Sequence, residues 1–243
     1  MGLAKLKAML PYVTSPQTAD FLNGALFLVD KPKGWTSFDA VHKIRNLIIR
    51  KINIKKIKVG HSGTLDPMAT GLLLICTGAW TKELHQLQGL DKKYKAEITL
   101  GIETDSYDTE GNVIEQKEVP PLTVPDLLLI LSKFTGEYQQ MPPVFSAIKK
   151  DGKPLYKSAR AGTIVTPDPR TVNVYSIEII DFKENKLQLD IHCASGFYVR
   201  SLAHDIGAEL NCGAHLSALV RTMIGPYDLS DAWQMEELIE MMQ

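Results

Sequence analysis

The 243-residue chain contains 44% hydrophobic and 23% charged residues, which is ordinary for a soluble globular protein of one large or two small domains. No apolar stretch approaches the roughly 20 residues that a membrane-spanning helix requires, and the N-terminus lacks the apolar core of a signal peptide. These features argue against a membrane protein and predict a cytoplasmic location.

The three cysteines are Cys76, Cys193 and Cys212, an odd number with wide separations. Their spacing fits neither a disulfide framework nor a metal site, so zinc is not expected. We expect each thiol to be a small buried hydrophobic group.

The net charge of −1 combines a basic first hundred residues with an acidic remainder. One basic cluster, without any acid, consists of Lys43, Arg45, Arg50, Lys51, Lys55, Lys56 and Lys58. A second cluster, which includes only the acid Asp151, consists of Lys149, Lys150, Lys153, Lys157 and Arg160. Such clusters can follow a phosphate backbone, although each alone also fits a solvated helix face.

In chain order, residues 1–24 show no periodicity and are interpreted as a loosely attached N-terminal arm. Hydrophobic patterning and capping residues then define the elements up to residue 100. They are a strand at 25–30, a helix starting at Thr36 or Ser37, a strand at 57–60, a strand from about Leu72, a short helix near 82–87 and an alternating strand at 94–100.

The remaining chain shows the same mixture of strands and helices. The predicted elements are a helix through 127–134, a long exposed loop at 136–154, two strands around a turn at 183–185, a helix at 198–210 and a terminal amphipathic helix at 233–242. Strands in neighbouring pairs, interspersed with helices, predict an α+β fold with a mixed, mostly antiparallel central sheet and flanking helices.

Residues 60–71, with the sequence GHSGTLDPMATG, are the most informative segment. Three glycines, a proline and two threonines predict a tight, irregular loop before an apolar strand, and Asp66 is the only carboxylate in it. A lone Asp in such a loop suits a reactive carboxylate, although an Asp-Pro pair is also a common way to open a turn.

This segment resembles the catalytic loop of the TruB-type pseudouridine synthases, which modify uridine 55 in the T loop of tRNA. Other segments extend the resemblance over about residues 25–227: VDKPKGWTS at 29–37, KYKA at 93–96 with LG and TD following, QMPPVFSAIK at 140–149, and residues 193–207. Three positions depart from the family pattern: Phe145 replaces a usual Tyr, Phe197 a common Thr, and Val220, before Arg221, a frequent basic residue.

The resemblance implies the pseudouridine synthase fold and a reaction without metal, nucleotide or redox cofactor. It implies that Asp66 is the nucleophile, that Arg200 keeps this carboxylate ionised, and that Tyr94 stacks on the flipped base and helps to remove its C5 proton. His61 is expected to fill the space that the base leaves. From the residues alone, Tyr94 also fits a core position, Arg200 a helix-surface ion pair and His61 a structural role.

Further contacts are expected from the same resemblance. Tyr198 is expected to pack beside Arg200 and the nucleophile as a support. Supporting or phosphate contacts are expected from Lys82 and Asp105, and RNA backbone contacts from Lys149, Lys153 and Arg160.

The resemblance also implies a catalytic domain at residues 25–243 with an RNA-contacting insertion at about 136–170. Many members carry an RNA-binding domain, the PUA domain, after the catalytic domain, and we expect this chain to lack it because the sequence ends before that domain could fit. The expected partner is tRNA, bound through its T arm, and the protein is expected to be a monomer that needs no protein partner.

Two other classes of function can be compared with these residues. A phosphatase of the Asp type requires a second Asp two residues after the first, but position 68 is Met, and a glycosidase requires a paired acid that the loop lacks. A non-catalytic module that binds or folds tRNA remains as the alternative to the enzyme.

Overall fold

The computed structural model describes residues 10–145, 149–150, 153–154 and 167–243, with only the backbone described at 149–150 and 153–154. The chain forms two compact units. Unit 1 comprises Met1–Lys93 and Val220–Gln243, and unit 2 comprises Tyr94–Leu219. The sequence had suggested a single catalytic domain after the arm.

The described residues contain strands and helices in alternation. The strands are β1 (Leu26–Lys31), β2 (Val59–His61), β3 (Thr70–Thr77), β4 (Lys92–Leu100), β5 (Ile102–Thr104), β6 (Val113–Gln116), β7 (Gly136–Gln140), β8 (Lys149–Lys150), β9 (Lys153–Pro154), β10 (Arg170–Lys183), β11 (Lys186–Cys193), β12 (Ala214–Ile224), β13 (Tyr227–Asp228) and β14 (Trp233–Gln234). The α-helices are α1 (Ser37–Lys51), α2 (Leu84–Gln88), α3 (Val124–Ser132), α4 (Val199–Glu209) and α5 (Met235–Met242), and short 3-10 helices occupy Gly78–Glu83 and Leu229–Asp231.

In unit 1, β3 pairs antiparallel with β1 and β2, and parallel with the end of β12. β1 also pairs in parallel with β14. Alternate residues of β1 and β3 enter two hydrophobic cores, as Phe27 and Leu73 do on one face and Leu28 and Leu74 on the other. Burial on both faces explains why these strands have nearly continuous apolar sequences.

Residues 10–24, which the sequence assigns to a loose arm, pack onto unit 1. Leu10 and Phe21 are each only 3% exposed. The Val13 amide donates to Leu26 O at 2.8 Å, and the Trp233 indole donates to Val13 O at 2.9 Å. This part of the chain is therefore a component of the unit 1 core rather than a loose extension.

Helix α1 begins where its sequence predicts. Thr36 is the N-cap in a capping box, in which its hydroxyl accepts from the Asp39 amide and the Asp39 carboxylate accepts from the Thr36 amide. Val41, Ile44 and Ile48 share the buried face of the helix, as the apolar spacing predicts.

In unit 2, the strand order is β4-β11-β10-β7. β10 and β11 form a long antiparallel hairpin around Glu184 and Asn185, whose positive φ angles of 50° and 62° match a two-residue turn of the kind that suits twisted strands. The predicted alternation in β4 is confirmed, since Tyr94, Ala96 and Ile98 are buried.

One secondary-structure prediction was wrong in part, and one strand was not predicted. Residues 136–140 form strand β7, paired antiparallel with β10, and are not part of an exposed loop. Strand β12 was not predicted, because its buried positions include the polar residues His215 and Arg221, which disrupt the apolar alternation.

The α+β architecture with a mixed, mostly antiparallel sheet and flanking helices is confirmed. All three cysteines are buried, as expected. None of the described helices has the length and apolar character that crossing a bilayer requires.

Candidate active site

Asp66 lies in the connection between β2 and β3, here called the Asp66 loop (residues 62–69). Its side chain is half-buried, and its carbonyl accepts a hydrogen bond from the Ala69 amide at 3.1 Å, which closes a tight turn. Leu65 and Met68 are 3% and 6% exposed, so apolar side chains anchor the turn on both sides of the carboxylate.

The segment that leads into α1 holds the chain on both sides of Asp66. The buried Ser37 hydroxyl accepts from the Leu65 amide at 2.8 Å and donates to the Leu65 carbonyl at 3.0 Å. The Gly34 amide donates to Pro67 O at 2.8 Å. These three hydrogen bonds restrict the residues directly before and after Asp66, which gives the KPKGWTS segment a role in positioning the carboxylate.

Arg221 is a positioning residue that the sequence analysis did not identify. It is 2% exposed, and its Nε donates to Leu72 O at 2.7 Å. Its two terminal nitrogens donate to Thr64 O and Gly63 O, both at 3.4 Å. One guanidinium thus connects the Asp66 loop to strand β3, and no local sequence pattern shows such long-range bonds.

Gly71 permits the close approach of β3 and β12 at this point. Its φ of +103° favours glycine, and a Cβ there would lie 2.4 Å from Arg221 O. The Gly71 amide donates to Asp30 Oδ1 at 3.0 Å, while Gln234 donates to Asp30 Oδ2 at 2.9 Å. The backbone after the Asp66 loop is therefore fixed by both sterics and hydrogen bonds.

His61 ends strand β2 immediately before the Asp66 loop. Burial lowers the pKa of its imidazole below the usual value, a Gly63 backbone contact opposes this shift, and the positive charge of Arg221 adds to it. The ring is therefore neutral at pH 7, which suits a side chain that takes the place of a neutral base. That role stays a prediction.

We expect Arg221→Met to slow the reaction by about 10²-fold, because the loop loses a rigid connection while most side-chain volume remains. The lost hydrogen bonds are expected to lower the free energy of unfolding by about 2–4 kcal/mol. Single-turnover rates of the reaction that the resemblance implies, at saturating tRNA and well below the melting temperature, test this expectation.

Arg45→Met is the matched control for Arg221→Met. Arg45 also belongs to unit 1 and donates to a backbone carbonyl, Val59 O, at 3.1 Å, but this carbonyl lies in β2 and not in the Asp66 loop. Equal single-turnover rates in the two variants would contradict a positioning role for Arg221.

In unit 2, Arg200 is buried near the start of α4, with 6% exposure. Its terminal nitrogens donate to Ser106 O at 3.2 Å and Phe145 O at 2.9 Å, and its Nε lies 3.6 Å from Asp108 Oδ2. Asp108 is itself 2% exposed. The surface ion pair considered from sequence is therefore wrong, because the pair with Asp108 is buried.

Asp108 belongs to the TDSYDTEG segment, and the sequence analysis assigned it no role. Its Oδ1 accepts from the Ser106 hydroxyl at 2.5 Å and from the Glu110 amide at 2.9 Å. The carboxylate is thus fixed in place beside Arg200. No local pattern in the sequence shows which cation this carboxylate pairs with.

Tyr94 lies on the buried face of β4 with 9% exposure. Tyr198 is the N-cap residue of α4, and its backbone amide and carbonyl both bond the Gln140 side chain, at 2.9 and 3.1 Å. The Arg170 guanidinium lies 5.1 Å from the centre of the Tyr198 ring, in cation–π range. Tyr198 therefore connects α4 to β7 and β10.

The residues predicted to support the site or to contact RNA lie in different elements of the fold. Asp105 bonds the backbone and side chain of Asn112 and so fixes the turn between β5 and β6. Lys82 is exposed in the 3-10 helix of unit 1. Lys149 and Lys153 lie in the paired strands β8 and β9, and Arg160 lies outside the described residues.

Unit 1 carries an exposed basic segment at the end of α1 and directly after it, which consists of Arg50, Lys51, Lys55, Lys56 and Lys58. Exposed cations on one short stretch of chain suit contacts with a phosphate backbone. Within the described residues, no group of three or more His, Cys, Asp or Glu side chains could hold a metal ion.

Two family models match the chain. Residues 50–199 match the N-terminal domain of the TruB family pseudouridylate synthases, and residues 200–243 match the tRNA pseudouridylate synthase B C-terminal domain. The first match includes the Asp66 loop, Tyr94 and the start of α4.

Curated relatives agree with these matches. A tRNA pseudouridine synthase B of Flavobacterium johnsoniae is 44% identical over 216 residues, which cover 88% of this chain and 93% of the relative. The enzyme of the same name from Opitutus terrae is 45% identical over 217 residues, covering 89% of this chain and 87% of the relative.

Among solved structures, a chain in the crystal structure of a Cbf5-Nop10-Gar1 complex is 26% identical with a TM-score of 0.68, and the match covers 95% of this chain and 59% of that chain. A chain of an H/ACA RNP bound to a substrate RNA containing 2′-deoxyuridine is 25% identical with a TM-score of 0.63, and the match covers 88% of this chain and 52% of that chain.

Sequence, fold and family matches lead to one conclusion: the chain belongs to the TruB family of pseudouridylate synthases.

Proposed function

We propose that this protein converts the uridine at position 55 in the T loop of tRNA to pseudouridine, with Asp66 as its nucleophile. As a family member, it is an isomerase that acts on uridine in tRNA, the activity that gives its curated relatives their name. The observation that carries the residue assignment is the Asp66 loop, in which Ser37, Gly34 and Arg221 restrain the backbone around one carboxylate.

The reaction rearranges one nucleotide and leaves its composition unchanged. The bond between N1 of uracil and C1′ of the ribose breaks, the base turns, and a bond forms between C5 and C1′. The C5 proton leaves and N1 gains a proton, so atoms and electrons balance without a redox partner. A carboxylate can serve as the nucleophile, at the sugar or at the base, as carboxylates do in other sugar chemistry.

The restraints on the Asp66 loop support this chemistry because a nucleophile must be held close to its attack geometry. Three hydrogen bonds, two from the Ser37 hydroxyl and one from the Gly34 amide, fix the main chain of Leu65 and Pro67, and Arg221 fixes the residues before them. The loop therefore loses little conformational freedom when a substrate binds. A neutral His61 next to the loop can occupy the space of a flipped uracil without introducing a charge.

The roles of the unit 2 residues rest on the family resemblance. We propose that Arg200 supplies the positive charge that favours the ionised nucleophile, and that Tyr94 stacks on the base and assists removal of the C5 proton. Tyr198 supports the arginine by holding the start of α4 to Gln140. Aromatic stacking offsets part of the cost of taking a base out of the T loop.

We propose that tRNA binds mainly through its T arm. The exposed basic segment of unit 1 supports this proposal, together with Lys82, Lys149, Lys153 and Arg160 as backbone contacts. The insertion at about residues 136–170, a cytoplasmic location, a monomeric state and the absence of an obligatory protein partner are parts of the same proposal.

The decisive test of the substrate is chemical mapping of pseudouridine in an unmodified tRNA transcript. We expect modification at the T-loop uridine, no modification when that uridine is replaced by cytidine, and similar binding of whole tRNA and a T-arm hairpin. Affinity for both should fall steeply with added salt. A hairpin that binds far more weakly than whole tRNA would contradict T-arm recognition, and modification elsewhere would contradict the assigned position.

A further inference from the structure

A groove of about 390 Å³ lies along the first turns of α1. Its lining consists of Gly34, Trp35, Asp39, His42, Lys43 and Asn46. Trp35 packs on the hydrophobic core of unit 1, and this contact holds its ring in place in the groove. Apart from Gly34, whose amide restrains Pro67, none of these residues has a part in the chemistry proposed above.

A pair of aromatic rings adjoins this groove. Phe38 is 61% exposed, and its ring lies nearly parallel to that of His42, with centroids 6.4 Å apart and an angle of 16° between the planes. The His42 ring is held by a 3.3 Å hydrogen bond between its Nε2 and the Asn46 amide. One exposed Phe is ordinary, but two nearly parallel rings beside a groove form a surface on which a flat group can stack.

The charges in the groove favour a base over a phosphate. The Asp39 carboxylate accepts hydrogen bonds from the Thr36 amide and hydroxyl at 2.9 and 2.7 Å, and these bonds lower its pKa and keep it charged. Lys43 offsets that charge within the same lining. The Asn46 amide nitrogen bonds His42, and the amide oxygen of the same side chain can accept a hydrogen bond from the polar edge of a nucleobase.

We propose that this groove and the Phe38–His42 pair bind an unpaired base of the tRNA substrate that flanks the target uridine. The inference rests on the proposed function. The location of the groove supports the inference, because α1 begins at Ser37, whose hydroxyl bonds Leu65 next to the nucleophile. Its chemistry also supports it, since extruding a target base leaves neighbouring bases unstacked, and aromatic side chains stack on bases of any identity.

The test uses tRNA transcripts with 2-aminopurine at each nucleotide next to the target uridine. Wild-type protein is expected to change the fluorescence of at least one probe, and Phe38→Ala to abolish that change. Phe38→Ala should raise the Kd for tRNA by roughly 5- to 100-fold, the range for loss of one stacked base. The single-turnover rate at saturating protein should stay within about twofold of wild type, and Phe38→Trp should restore binding.

Leu22→Ala is the matched control, since Leu22 is a 55% exposed apolar residue of the same unit. His42→Ala provides a second variant and is expected to weaken binding as Phe38→Ala does. If both variants bind tRNA with the wild-type Kd and change the probe fluorescence as the wild type does, and the wild type is active, this inference is overturned and the proposed function stands. A wild type that forms no pseudouridine would instead overturn the proposed function.

Discussion

An Asp66→Asn variant is expected to bind tRNA normally and to lose pseudouridine formation by at least about 10³-fold. Asparagine keeps the size of the side chain but removes the charge that the nucleophile requires. The backbone around the site should be preserved, because Ser37 and Gly34 bond the main chain of Leu65 and Pro67 and not the Asp66 side chain. Single-turnover rates with a labelled tRNA transcript provide the measurement.

Two further variants make the result specific to this carboxylate. Asp66→Glu keeps the charge but displaces it by one methylene, and we expect it to remain far below wild type because attack geometry is exacting. Asp20→Asn changes a turn carboxylate elsewhere in unit 1, where Asp20 bonds Asn23, and should retain wild-type rates. An Asp66→Asn variant within tenfold of wild type would remove Asp66 from the chemistry.

The second large effect is expected from Arg200→Met, which should slow the single-turnover rate by roughly 10²–10³-fold while tRNA affinity changes little. The variant also leaves the buried Asp108 carboxylate without its ion-pair partner. Loss of one member of a buried pair costs about 3–5 kcal/mol of the free energy of unfolding. Catalytic and structural effects therefore occur together and have to be separated.

Asp108→Asn, added to Arg200→Met, separates them. It removes the unpaired charge while keeping the shape that accepts from Ser106 and Glu110. We expect the double variant to regain part of the lost stability, measured by urea unfolding, and to remain as slow as Arg200→Met. Near-normal single-turnover rates in either variant would contradict the proposed role of Arg200.

Local patterns predicted the elements whose stability is itself local. The capping box at Thr36 and Asp39 and the alternation of β4 depend on residues a few positions apart, and both were predictable. Strand β12 was not, because its buried Arg221 is stabilised by carbonyls about 150 residues earlier in the chain. Only the folded sheet brings those acceptors to the guanidinium.

The same distinction applies to the site. The composition of the loop identified Asp66 as a candidate, and resemblance supplied a role for it. The residues that hold the Asp66 loop could not be predicted. The sequence suggests Ser37 as a helix cap, but its hydroxyl bonds Leu65, 28 residues away in sequence. Asp105 is expected to make a supporting or phosphate contact, and the sequence does not show that it fixes a turn through Asn112.

The most direct test of the central claim is tritium release from a T-arm RNA whose uridines carry tritium at C5. The account predicts that wild-type protein releases one tritium for each pseudouridine formed at the T-loop position, without free uracil, and that Asp66→Asn releases none. Tritium release that is absent from the wild type, or that is unchanged in Asp66→Asn, would contradict it.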